Sequence, residues 1–178
     1  MKVLFLDFDG VLNSCQSATF WHNKRDQKKW ENEMYESWGG TLYEYLAMEF
    51  CPIALSNMEE LARRFPELKI VISSSWRLNN SVEDLKKILS PAKVVADKVM
   101  DKTKSLRWDD GKETTRGHEI KEWLSRHPEV THYVIIDDDN DMLEEQKDNF
   151  VHTSSLHGFQ WGDMLWAERI LNKQGETK

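Results

Sequence analysis

Apolar residues along the chain fall into short unbroken runs, and longer stretches between them repeat at helical spacing. The first run, Val3-Leu4-Phe5-Leu6, has no polar alternation and ends at Asp7. A run of this kind, bounded by turn signals, predicts a strand buried on both faces, as in a parallel sheet. Lys69–Ile72 has the same character and runs into Ser73-Ser74-Ser75-Trp76-Arg77, and Tyr133–Ile136 runs into Asp137-Asp138-Asp139. Weaker strands are predicted at Val94–Ala96 and Phe150–Thr153.

Four helices alternate with these strands. Ser56 and Glu59 form a capping-box pattern, Met58, Leu61, Ala62 and Phe65 mark one face, and Pro66 stops the helix. Ser81 and Asp84 open a second helix faced by Leu85, Ile88 and Leu89. Thr115–His127 is amphipathic through Ile120, Trp123 and Leu124, and a last helix begins near Gly162, faced by Met164, Ala167, Ile170 and Leu171. Asp97–Thr115 reads as polar loop. Strands alternating with helices over the whole length predict one α/β domain, residues 1–178, built on a parallel sheet with helices on both faces.

Residues 14–50 fit neither period. This stretch is crowded with aromatics and holds a basic cluster, Lys24, Arg25, Lys28 and Lys29, with a turn at Trp38-Gly39-Gly40. An insertion directly after the first strand suits a small cap over a site, and packing against the sheet's end suits it equally. The mixture of His22 with neighbouring basic and aromatic residues could grip a single nucleic-acid strand, although an ordinary helix face accounts for it too.

Charge changes the picture locally. The formal net charge is −7, and Val134–Asp148 alone holds seven acids against Lys147. A divalent cation would offset part of that density. The acidic balance argues against broad electrostatic binding of duplex nucleic acid. Only Cys15 and Cys51 are present, without metal-ligand spacing, which suits a reducing compartment. No stretch approaches a membrane span, and the first apolar run is too short for the apolar core of a signal peptide, so the expected location is cytoplasmic.

The chemistry sits where the strong strands end. Asp7 and Asp9 follow the first, and Gly10 lets the backbone turn just beyond the strand's carboxyl end, where open α/β sheets bind ligands. In a parallel sheet the three polar clusters converge on one edge. Carboxylates from two strands form a hard oxygen site suited to Mg²⁺, with serine hydroxyls and a basic residue to hold phosphoryl oxygens. A calcium loop over Asp137–Asp148 is excluded, because Met142 stands where that loop needs glycine and a strand precedes it. A solvated acidic turn explains any one cluster, but not three clusters that each follow a buried strand. Glu144, Glu145 and Asp148 read as a solvated face, and His118, His152 and His157 as surface or packing residues.

Taken in order, hhhDxDGVLN at Leu4–Asn13, the strand ending in serine at Ile70–Ser74, a basic residue, and hhhhDD at Tyr133–Asp138 resemble the haloacid dehalogenase (HAD) superfamily of phosphohydrolases. SSSWR, DKT (Asp101–Thr103), RGHEIKEWL (Arg116–Leu124) and IIDDD are similar to the small-capped HAD domains associated with RNA-repair proteins, and more distantly to the phosphatase half of polynucleotide kinase-phosphatase. The resemblance implies a Rossmann-like sheet of about five strands with a small cap after strand 1. It implies a phosphomonoester hydrolase in which Asp7 is the nucleophile and Asp9 the general acid and base. Mg²⁺ would be held by Asp7, the Asp9 carbonyl and Asp138, with Asp137, Gly10 and Asn13 in support; Asp137 with Asp141 offers an alternative register. Ser74 would bind phosphate, with Ser73 or Ser75 as neighbours able to take that place. Arg116 is the basic residue, with Lys112 and Lys121 as rivals, and Arg77 a second phosphate contact. Trp76 could stack on a base or pack internally. The implied substrate is a nucleotide or a terminal 3′ phosphate of nucleic acid, a small non-nucleotide phosphate being the alternative, and no obligate protein partner or membrane is implied. A non-catalytic binding protein on the same scaffold is disfavoured by retention of both Asp7 and Asp9.

Overall fold

Strand β1 (Lys2–Leu6) is the middle of the sheet, and its burial explains its composition. Val3, Leu4, Phe5 and Leu6 are all fully buried, alternately against the two faces. A computed structural model describes residues 1–24, 50–107 and 114–173. Among these residues the sheet has five strands, with β2 (Lys69–Ile72), β3 (Val99–Lys102), β4 (His132–Asp137) and β5 (Phe150–His152) joining β1 in the order β3-β2-β1-β4-β5. Every pairing is parallel. Register puts Leu6 beside Ile72 on one side and Ile136 on the other, so β1, β2 and β4 end level with one another. The chain order reverses at β1, the position at which such sheets open a crevice.

Six α-helices accompany the sheet among the described residues: α1 (Cys15–Lys24), α2 (Pro52–Arg64), α3 (Val82–Ile88), α4 (Lys93–Lys98), α5 (Arg116–Ser125) and α6 (Trp161–Asn172). They divide unequally between the faces. Leu4, Leu6, Ile70, Ile72, Val134 and Ile136 pack on one side against apolar residues of α2, α3, α4 and α6. On the other side Val3, Phe5, Val71 and Ile135 pack against Ile120 and Trp123 of α5, with Phe5 edge-on to Trp123 at 5.3 Å. Each fully buried large side chain contributes about 1.5–3 kcal/mol of transfer free energy, which makes the sheet a rigid base for the loops above it.

Three predicted boundaries are corrected. Helix α2 begins at Pro52, with Cys51 as its cap, so the Ser56–Glu59 pattern lies inside the helix. Proline at the first helical position needs no N–H donor, and Ala54 extends the buried face upstream. Val94–Ala96 belongs to helix α4, which turns Val95 and Ala96 into the core. The strand is Val99–Lys102, inside the stretch read as loop; as an edge strand it exposes Met100 and leaves Asp101 and Lys102 only partly buried, so it shows no apolar run.

Helix α1 opens the predicted 14–50 insertion, of which residues 25–49 lie outside the described part, together with the basic cluster beyond Lys24 and the Trp38-Gly39-Gly40 turn. Both ends of the insertion are fixed. The N–H of Cys51 donates to the carbonyl of Leu12 at 2.7 Å, so the chain returns to the point it left. Cys15 and Cys51 are free thiols, and no helix among the described residues is long and apolar enough to cross a membrane.

Candidate active site

The backbone beyond β1 folds into a tight loop anchored from beneath. Phe8, Val11 and Leu12 are fully buried, and the Phe8 carbonyl accepts from the N–H groups of Leu12 (2.8 Å) and Asn13 (3.0 Å). Gly10 makes the turn at φ +66°, and a Cβ there would lie 2.1 Å from Cγ of Asp138. Glycine is therefore required twice over, for the left-handed backbone and for the room it leaves the Asp138 carboxylate.

Asp7 follows β1 directly, its N–H still on the ladder to the Ile136 carbonyl (3.1 Å), and its side chain is buried. Carboxylate oxygens of Asp7, Asp137 and Asp138 all lie within 4.8 Å of one another. Asp7 is thus crowded by the two acids at the carboxyl end of β4. Burial and then the Asp7 charge push the Asp137 carboxyl up to about 8. Burial also raises Asp7, against the opposing pull of Arg116 and a hydrogen bond from Ser74. Asp138 is raised as well, by burial and then by the charge of Asp139. Oδ1 of Asp137 accepts from the N–H of Asp139 at 2.9 Å, while buried Oδ2 has no hydrogen-bond partner. Three converging hard oxygen donors, one buried without a donor, fit a small divalent cation.

Arg116 is the positive group of the site. It is the first residue of α5, and its Nη1 lies 3.4 Å from Oδ1 of Asp7 and 3.9 Å from Oδ2 of Asp137. Burial would lower its pKa, but the carboxylates of Asp137 and Asp7 outweigh that and raise it above the ordinary value. Its backbone N–H donates to Oδ2 of Asp141 at 2.9 Å, so Asp141 satisfies a free donor at the start of the helix and fixes the arginine. Asp141 stands outside the carboxylate triplet, which takes in Asp137 and Asp138. Among the rival bases, Lys121 pairs on the surface with Glu145 at 2.8 Å, and Lys112 lies outside the described residues.

A family model for the HAD domain in Swiss Army Knife RNA repair proteins matches residues 3–164. The chain belongs to that family. A solved structure, the HAD domain of the effector protein Lem4 from Legionella pneumophila, is similar over 92% of this chain and 91% of that one, with a TM-score of 0.47 and 17% identity. No curated protein matches the sequence.

In this HAD domain the serine run divides by burial. Ser73 and Ser74 are buried and Ser75 is exposed. Ser74 is the serine that hydrogen-bonds Asp7, which places its hydroxyl in the crevice; the Ser73 hydroxyl is buried without a partner. Asp9 leaves the carboxylate triplet altogether. Its side chain is exposed, with Oδ1 accepting from Nδ2 of Asn13 at 2.9 Å and Oδ2 from the indole Nε1 of Trp76 at 2.9 Å. Trp76 is half-buried and packs internally, stacked on Phe50 at 6.0 Å and edge-on to Phe8 at 5.4 Å.

Arg77 is corrected most fully. Expected to contact phosphate, it is buried beneath the crevice, where its guanidinium donates to the carbonyls of Ser73 (3.0 Å), Ser74 (2.8 Å) and Thr103 (3.1 Å) and pairs with Glu119. Burial lowers the Arg77 pKa and raises that of Glu119. Glu119 also accepts from the N–H of Leu106 at 3.1 Å. Sequence reasoning missed this acid; its signal was a charged residue on the inward face of α5, three positions after Arg116. The DKT stretch is part of the same scaffold: Asp101 accepts from the indole of Trp123 at 2.6 Å, and Lys102 donates to the carbonyls of Arg77 (2.7 Å) and Asn80 (2.6 Å). His152 donates to or accepts from no carboxylate of the triplet, its ring Nε2 lying 2.8 Å from the Asp138 carbonyl.

Proposed function

We propose that this HAD domain is a Mg²⁺-dependent phosphomonoester hydrolase that forms an aspartyl-phosphate on Asp7 and acts on nucleotides or on the terminal phosphate, in particular a 3′ phosphate, of nucleic acid. The observation that carries the proposal is the setting of Asp7: a buried carboxylate at the end of the central strand, touched by Arg116 and Ser74 and crowded by Asp137 and Asp138.

Asp7, Asp138 and the Asp9 carbonyl would hold Mg²⁺, with Asp137 behind them. Bound there, the ion supplies charge neutralisation for the carboxylates and for the phosphoryl oxygens. The protein's own groups perform the remaining work. Arg116 and the Ser74 hydroxyl hold phosphoryl oxygens in line with Asp7. An Asp7 oxygen forms a bond to phosphorus as the bond to the leaving oxygen breaks, and Asp9 gives its proton to that oxygen. In the second half Asp9 takes a proton from water, the water oxygen bonds to phosphorus, and the Asp7 carboxylate is released. Splitting one displacement into two lowers each barrier.

Membership of a family of HAD domains found in RNA repair proteins favours a nucleic-acid substrate. A small cap, as the resemblance implies for residues 14–50, would also favour a polymer end, because it would leave the site open to an extended chain. The test is a panel of 3′- and 5′-phosphorylated mononucleotides and oligonucleotides set against sugar phosphates. The account expects the highest kcat/KM on a phosphorylated nucleotide or oligonucleotide; a wide margin in favour of sugar phosphates would overturn the nucleic-acid assignment and leave a metabolite phosphatase.

A further inference from the structure

Given the phosphatase chemistry proposed above, we propose that Trp76 is a positioning residue for the proton-transfer step, its indole N–H aiming the Asp9 carboxyl at the leaving oxygen. The residue lies 67 positions away from Asp9 in the chain, yet Nε1 donates to Oδ2 at 2.9 Å. Asp9 is otherwise an exposed side chain on a loop and has rotamers to lose. The indole and the Asn13 amide together engage both of its oxygens.

The chemistry of the two neighbours matters as much as their number. An indole N–H and an amide NH₂ are donors only, so neither can take a proton from Asp9. On the indole side a proton carried by this carboxyl meets no acceptor and stays available to the leaving oxygen. When the carboxylate is the base, the same two donors stabilise its charge.

The clamp is itself rigid. Trp76 begins one residue after the Ser74–Ser75 turn, in a short 3-10 helix over Ser75–Leu78 whose first turn is capped by Ser74, and its carbonyl accepts from Asn80 at 2.9 Å. Its ring is wedged against both Phe8 (5.4 Å) and Phe50 (6.0 Å), which lie edge-on to each other at 5.7 Å. Phe8 sits between Asp7 and Asp9, and Phe50 precedes the Cys51 N–H that rejoins the loop at Leu12. One turn thus carries both the hydroxyl for the phosphoryl group and the donor that orients the acid.

The test uses leaving groups of different basicity. An aryl phosphate departs with little help from an acid, whereas an alkyl phosphate such as a 3′-phosphorylated nucleotide needs the proton. Trp76→Phe keeps a ring in the wedge and removes the N–H. The expected result is a kcat/KM, which reports the first half of the reaction alone, lower by about ten- to a hundredfold on the alkyl phosphate and nearly unchanged on the aryl phosphate. An equal fall of kcat/KM on both substrates, or no fall on either, would overturn the positioning role while leaving the phosphatase reading intact. Failure of the wild type to release phosphate from either substrate would overturn both. Independently of how the variant folds, Asp9→Asn in protein labelled with ¹⁵N-tryptophan should move one indole N–H resonance; unmoved indole signals would contradict the clamp.

Discussion

Nη1 of Arg116 stands 3.4 Å from Oδ1 of Asp7, joining the start of α5 to the end of β1 across the crevice of the sheet. This one cation faces Asp7 and Asp137 together and is held in place by Asp141 behind it. Arg116→Ala should therefore lower kcat by about 10²- to 10³-fold, as expected when a preorganised donor to the phosphoryl oxygens is removed. Arg116→Lys should restore only part of this, because a single ammonium does not reproduce the fork. Steady-state kinetics on a generic phosphate ester checks both; a near-wild-type Arg116→Ala would mean that another base serves the phosphate.

Gly10 leaves free the space that the Asp138 carboxylate fills. Gly10→Ala puts a methyl group 2.1 Å from Cγ of Asp138 and forces a left-handed backbone that costs an L-residue about 1–2 kcal/mol. Displacement of Asp138 should weaken Mg²⁺ binding at least tenfold, measurable by titration calorimetry, with a parallel fall in turnover. Unchanged Mg²⁺ affinity would remove Asp138 from the metal site.

The Arg77–Glu119 pair is almost wholly buried, at 5% and 6% side-chain exposure. Removing one partner strands the other charge, so Arg77→Met should destabilise the fold by about 3–5 kcal/mol in urea unfolding. The double variant Arg77→Met/Glu119→Leu should recover much of that loss. If Arg77 were instead a phosphate ligand, Arg77→Met would raise KM without altering stability.

In the metal-free protein the carboxylate cluster ties stability to pH. Asp137 has a folded pKa of about 8 against an ordinary 3.8, with burial as the main cause. Between those values the folded chain keeps a proton that the unfolded chain has released, so stability falls as pH rises through this window. In a chelator, thermal unfolding should show Tm declining from pH 4 towards pH 8 on this account, by about 2–4 °C for each kcal/mol lost. Asp137→Asn should flatten the decline and Mg²⁺ should reverse it. A Tm that rises with pH in the chelator would contradict the assignment.

Much of the site was legible because its residues end strands that are plain in the sequence. β1, β2 and β4 are buried on both faces and show unbroken apolar runs, so the polar residues after them could be placed on one edge. β3 was not legible for the opposite reason: an edge strand has one open side, and Val-Met-Asp-Lys shows no run at all. The valines of α4 mimicked a strand because two adjacent β-branched residues cannot reveal a helical period. Arg77 and Trp76 depended on tertiary partners. Nothing near Arg77 in the chain announces Glu119, and nothing near Trp76 announces Asp9, so a phosphate contact was the natural local reading of Arg77, and stacking or internal packing that of Trp76. Arg116 was reached because a helix start after a long loop faces the same edge.

Asp7 as nucleophile is the central claim, and phosphate release from an aryl phosphate with Mg²⁺ tests it most directly. The wild type should turn over, and Asp7→Asn, which keeps the shape and removes the attacking oxygen, should lose at least about 10³-fold of kcat while unfolding at a temperature no lower than the wild type's. Turnover by Asp7→Asn at the wild-type rate would contradict the account.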